Sequence, residues 1–170
     1  MKKFELTAEF VTNVLGKKLF RIKALVAFGD VEKGELGGFI EKEDNLSHDG
    51  NAWVSGNAWV YGDAWVYGNA QVSGNVQVSG DAQVSGNADY AAVAGFGRYS
   101  RTTTFFRCKD KILRVQCGCF YGDLAQFREI VKKTHGDSKY AKEYLAIADL
   151  MELHFSDECG GEQMNNGKIH

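Results

Sequence analysis

The chain is 170 residues long, 44% hydrophobic and 25% charged, with a net charge of −2. That length supports one domain or two small ones with a real core, and that charge excludes a protein that coats nucleic acid or mimics DNA. No run approaches the roughly 18 apolar residues of a membrane span; MKKFELTAEF lacks the apolar run of a signal peptide, and four Cys without an export signal point to reduced thiols in a cytoplasm.

Residues 1–47 mix charge with apolar alternation and predict an N-terminal β segment. In KKLFRIKALVAF, Leu19, Arg21, Lys23 and Leu25 alternate with Phe20, Ile22, Ala24 and Val26, which predicts a strand over 18–26 with one buried face. Gly34, Gly37 and Gly38 then mark a turn into a short strand at Phe39–Ile40.

From residue 48 a six-residue word, Val-[Ser/Tyr]-Gly-[Asn/Asp]-Ala-X, recurs as far as Tyr90 and defines a unit over 48–97. A hexapeptide period belongs to a parallel β-helix. Side chains alternate along each short strand, so Ala and Val point inward and X points out. Gly-Asn and Gly-Asp supply the corners, because these residues reach positive φ most cheaply. Three words close a coil of 18 residues, so the outward Trp53, Trp59 and Trp65 form a girdle, one per face. Gln71, Gln77 and Gln83 stack over them, and Tyr61 and Tyr67 sit at adjacent corners.

Beyond Tyr90 the repeat dissolves through AAVAGFGRYS, read as a flexible boundary. Residues 98–155 predict a β-hairpin turning at Lys109-Asp110-Lys111, followed by two helices. The first helix has Asp123 as N-cap with Gln126 as its capping-box partner, and it stops at Gly136. Its apolar stripe is Leu124, Phe127, Ile130 and Val131. The second starts near Asp137 or Ser138, with Tyr140, Tyr144, Ile147, Leu150, Met151 and Leu153 on its apolar side. Residues 156–170 have no periodicity and predict a flexible tail.

The hexapeptide word resembles the left-handed parallel β-helix proteins, many of which are trimeric acyltransferases. LGGFIEKEDNLSHDGNAWV, residues 36–54, looks like the start of YdcK-like hexapeptide proteins, a group of unassigned activity. TTTFF…CGCFYGDLAQF…THGDSKYAKEYL resembles a small C-terminal domain found on such repeats in phage and prophage proteins. The fold implied is mainly β: a short left-handed β-helix with an N-terminal β segment and a C-terminal hairpin plus two helices. A phage setting implies an accessory role such as counter-defence, of which anti-CRISPR activity is one form.

Three open-ended prism faces and two open ends need cover. The flanking segments are expected to cover two Trp faces and a neighbouring subunit the third; alternatively, at least one Trp is a hot spot for a partner, with Tyr61 and Tyr67 beside it. The function expected is a non-catalytic module that self-associates as a dimer or trimer and docks on a host protein or complex. An acyltransferase is the enzymatic alternative, with His48 as the sole candidate base. No loop interrupts the repeat to shape an acceptor site, and Asp49 is poorly placed to orient the His48 ring. A nucleic-acid alternative rests on Arg98, Arg101, Arg107, Lys109, Lys111 and Arg114, interleaved with aromatics on the hairpin. Cys108, Cys117, Cys119 and Cys159 with His135 or His154 carry zinc-type donors. The single residue inside Cys-Gly-Cys is short for a zinc knuckle, so neither metal nor other cofactor is expected.

Overall fold

The computed structural model describes residues 1–156; Cys159, His170 and the rest of the expected tail from 157 onward lie outside the described residues. The chain is mainly β, with two helices near the C-terminus. Three N-terminal strands, β1 (Phe4–Thr12), β2 (Lys18–Ala24) and β3 (Leu36–Ile40), form an antiparallel meander. Six two-residue strands follow in the repeat: β4 (Trp53–Val54), β5 (Trp59–Val60), β6 (Trp65–Val66), β7 (Gln71–Val72), β8 (Gln77–Val78) and β9 (Gln83–Val84). The C-terminal part holds β10 (Tyr90–Phe96), β11 (Arg101–Arg107), β12 (Leu113–Cys117) and β13 (Phe120–Asp123), then α1 (Leu124–His135) and α2 (Lys139–His154). Among the described residues no helix is long and apolar enough to cross a membrane.

The repeat pairs with itself in parallel at the period its sequence dictates. Trp53 lies against Gln71, Trp59 against Gln77 and Trp65 against Gln83, on three separate ladders. Val54, Val60, Val66, Val72, Val78 and Val84 are wholly buried, as are Ala52, Ala58, Ala70 and Ala82. Corner glycines such as Gly62 take positive φ. The coil ends at Val84: Ala88, read as another inward position, is exposed in a 3-10 turn.

Each end of the coil presents unpaired backbone groups, and side chains complete what strands do not. At the first end, β3 runs parallel to β5. The Lys3 ammonium donates to the carbonyls of Ala52 (2.8 Å) and Gly50 (3.3 Å), and the Asn45 amide donates to those of Ala64 (2.8 Å) and Gly62 (3.1 Å). These are equivalent positions on two different faces. At the far end, Tyr90 donates to the Gln71 carbonyl, Thr104 Oγ1 accepts from the Gln77 N–H, and the Asp89 carboxylate accepts from the Ser85 N–H. No edge at these points is left open for runaway pairing.

Lys3 is 3% exposed and lies 4.6 Å over the Phe28 ring. Burial pushes its ammonium down from 10.5 to about 8, against the opposing pull of Asp49. Below pH 8 the folded state carries this charge at full cost. Between about 8 and 10.5 the unfolded chain binds more protons, so stability rises with pH across that window. Melting wild type and Lys3→Met at pH 7.5 and again at about 9.5 isolates the effect. Wild type is expected to gain on the variant at the higher pH; an unchanged gap would contradict the assignment.

The four strands β10-β11-β12-β13 form an antiparallel sheet between the end of the coil and the helices. Neighbouring residues of one strand point to opposite faces. Phe106 accordingly joins the core of the coil and Phe105 the core beneath α1 and α2, and both are fully buried. The sheet is fastened to the coil by an Ala82–Cys108 bridge, by the Lys109 N–H on the Asp81 carbonyl (2.8 Å) and by Ser79 donating to Gln116 (2.9 Å).

Four expectations need correction. AAVAGF is not a flexible boundary but strand β10, an edge strand of which Ala91 and Val93 pack against the helical core. Gly37 and Gly38 lie inside β3; a Cβ at either would come within 2.7 Å of a backbone carbonyl of the repeat, so they serve close approach and not a turn. Strand β2 ends at Ala24, and both Leu19 and Ile22 are buried, so burial does not follow strict alternation; Ile22 and Ala24 belong to the core of the coil. The helical stripes are narrower than read, with Ile130, Tyr140, Leu150 and Leu153 exposed. The caps follow the sequence: Asp123 and Gln126 form a reciprocal capping box, and Ser138 caps α2.

Candidate functional site

The three Trp occupy equivalent positions and meet three different surroundings. Trp53 is 2% exposed, covered edge-on by Phe28 at 5.3 Å and pressed against Gly37. It is a core residue, which corrects its reading as an outward partner contact. Trp59 is half-buried beside β3, in register with Phe39. Trp65 is 39% exposed, and its ring stacks on Tyr67 at 3.9 Å with planes 15° apart. Stacking shields one face of the indole, and part of the ring remains open to solvent.

Tyr61 is held by its own hydroxyl, which donates to Gln77 Oε1 at 3.1 Å, and burial raises its phenol pKa. It lines a groove of about 500 Å³ with Val14, Leu15, Lys42, Asp63 and Tyr121. A neighbouring pocket of about 320 Å³ brings Trp59, Tyr61 and Arg101 together with Asn13. The N-terminal hairpin, the coil and the C-terminal sheet all contribute to this region. The β1–β2 turn also reaches this region, and Asn13 and Gly16 are its signal in the sequence. Asn13 Oδ1 accepts from the Leu15 and Lys17 N–H groups, leaving Val14 and Leu15 projecting into solvent.

The basic residues of 98–114 do not converge. Arg107 lies 3.6 Å from Asp89 and donates to the Phe155 carbonyl, and Arg114 pairs with Asp110 at 2.9 Å. Lys109 and Lys111 are exposed at the hairpin turn. Arg98 and Arg101 lie at the opposite end of β11, roughly 20 Å away at the rise of an extended strand, both against the exposed Tyr99 ring. A continuous basic track for a nucleic-acid backbone therefore does not form on the hairpin.

His48 stacks on Phe4 at 4.2 Å, and its Nδ1 accepts the Lys3 N–H at 3.0 Å. Its Nε2 lies 3.8 Å from Glu43. One ring nitrogen is thus committed to holding the N-terminal segment on the coil. Cys108 is buried, Cys117 half-buried and Cys119 exposed. Burial raises the Cys108 thiol, which lies 4.0 Å from the Tyr121 hydroxyl. Among the described residues no three His, Cys, Asp or Glu side chains converge as a metal cluster. No protein-family model matches the chain, and no curated protein sequence matches it.

Proposed function

We propose that this protein is a non-catalytic binding module that docks on a host protein through the Trp65–Tyr67 stack. In this reading the repeat winds as a left-handed parallel β-helix of the YdcK-like kind and the chain acts as a phage or prophage accessory factor in the cytoplasm, with counter-defence as the type of role. The observation that carries it is the contrast among three equivalent Trp: Trp53 is buried and Trp59 half-buried by this chain, while Trp65 is 39% exposed. Covering the remaining indole surface is worth on the order of 2 kcal/mol to a partner. Trp is also the residue type most enriched among interface hot spots. Self-association as a dimer or trimer belongs to the same reading. The edge strand β10 bears no charge from Tyr90 to Phe96, whereas the edge strand β1 carries Glu5 and Glu9.

The test is capture from a bacterial lysate, with nuclease added, by tagged wild type and by Trp65→Ala. A stoichiometric protein held by wild type and lost at least tenfold by the variant, at unchanged folding, is the expected result. Equal capture by both removes Trp65 from the interface. Light scattering of the purified protein reads self-association, and a monomer mass at every concentration removes that part.

A further inference from the structure

A second site lies at the other end of the C-terminal sheet. A cleft of about 260 Å³ opens between the β11 end of the sheet and the helices, with Arg98, Tyr99 and Arg101 on one side and Phe120, Phe127 and Ile130 on the other. The guanidinium carbons of Arg98 and Arg101 lie 5.7 and 5.2 Å from the centre of the Tyr99 ring, which is 68% exposed. Stacking on an aromatic face holds a guanidinium while leaving its N–H edge free to donate. Neither Arg has a carboxylate partner among the described residues. The Glu143 carboxylate on α2 accepts the Gly97 N–H at 3.0 Å and forms no ion pair with either Arg among the described residues. Gly118 gives Arg101 its room, since a Cβ there would collide with the guanidinium.

The rest of the lining is mostly apolar, with Thr134 and His135 also on it, the His135 ring stacked on Tyr144 at 5.8 Å. Phe127 packs edge-on to Tyr144 at 5.8 Å, and Ile130 is 38% exposed at the mouth. The Tyr144 hydroxyl donates to the Phe96 carbonyl at 3.4 Å, and burial lifts its phenol to about 12, so it adds no negative charge to the cleft. Two guanidinium forks outside any ion pair among the described residues, facing a largely aromatic wall, match a ligand with one anionic end and one apolar end. The volume lies just below the 300–1,000 Å³ of pockets for drug-sized ligands, so the ligand is smaller than that class.

We infer that this cleft binds a small amphipathic carboxylate, its anionic end on Arg98 and Arg101 and its aryl or short alkyl body against Phe120, Phe127 and Ile130. A carboxylate is favoured over a bare oxyanion because the apolar wall would contribute nothing to the latter. Paired N–H donors of a guanidinium also match the two carboxylate oxygens. The site is separate from the Trp65–Tyr67 surface and does not depend on the docking proposal.

The experiment is calorimetric titration with 4-phenylbutyrate, with 4-phenylbutanol and with inorganic phosphate at fixed ionic strength. The carboxylate is expected to saturate one site, with the alcohol and phosphate each at least tenfold weaker. The double variant Arg98→Gln, Arg101→Gln is expected to lose at least tenfold for the carboxylate and to leave the alcohol unchanged. Both side chains are exposed, so folding is retained, and circular dichroism checks it. Absence of saturable carboxylate binding, or equal affinity for the alcohol, overturns the proposal. Equal affinity for phosphate, or an unaffected double variant, does the same.

Discussion

Trp53→Ala is expected to destabilise the protein by about 3–5 kcal/mol, the range for deleting a large buried aromatic. Trp65→Ala is expected to cost clearly less, because 39% of that residue is already open to solvent and less covered surface is lost. The two residues hold the same place in the repeat and the same backbone pairing, one residue against a Gln of the next coil. Propensity, hydrogen bonding and inward packing therefore cancel in the comparison. What differs is cover: Phe28 and Gly37 enclose Trp53, while Tyr67 shields one face of Trp65. The Trp53 Nε1 is buried with no hydrogen-bond partner among the described residues, which costs the folded state something. Trp53→Phe removes that unmet donor along with part of the ring and is expected to cost much less than Trp53→Ala. Urea unfolding of the three variants measures the series. Equal losses for Trp53→Ala and Trp65→Ala would mean that cover by the N-terminal segment contributes nothing.

The same contrast explains how far the sequence carries. The coil is legible because its information is local: each sixth residue returns to the same place in the coil, and Val and Ala at fixed offsets specify the inside. The caps of α1 and α2 are legible for the same reason, with Asp123, Gln126 and Ser138 acting within one turn. The fates of Trp53, Trp59 and Trp65 are not local. They depend on Phe28 and Gly37 for one face and on Phe39 and the β1–β2 turn for another. Glycine misleads where its role is clearance, as at Gly37 and Gly38, because a turn and a tight backbone contact select the same residue. Strand β10 has small apolar residues on both of its faces although it is a sheet edge, so YAAVAGF carries no periodic signal. Charge misleads in its own way. Arg98 to Arg114 is basic when read as a string, yet the hairpin register sends Arg101 and Lys109 to opposite ends and hands Arg107 and Arg114 to Asp89 and Asp110. What survives of that patch is the pair on Tyr99, a smaller site with a different ligand chemistry.

Phe106→Ala is expected to remove about 3–5 kcal/mol, and Phe105→Ala a similar amount, but each is expected to loosen a different half of the molecule. Both are fully buried neighbours on β11 and point to opposite faces of one sheet. Phe106 packs into the end of the coil, near Tyr121 at 6.3 Å. Phe105 meets Phe127 edge-on at 6.0 Å beneath the helices. A cavity relaxes into what surrounds it, so loss of Phe106 frees the last coil while loss of Phe105 frees α1 and α2. With total stability typically about 5–15 kcal/mol, either loss is a large share but need not unfold the chain. Amide hydrogen exchange resolves the two cases: faster exchange at the β7–β9 level in Phe106→Ala, and in α1 and α2 in Phe105→Ala. If both variants loosen the same amides, the two cores open as one unit and the sheet does not partition them. If they separate, the sheet insulates the coil from the helical layer. A ligand bound in the Arg98–Arg101 cleft, whose apolar wall includes Phe127, would then stabilise the helices without reaching Trp65, so the docking surface and the cleft would act independently.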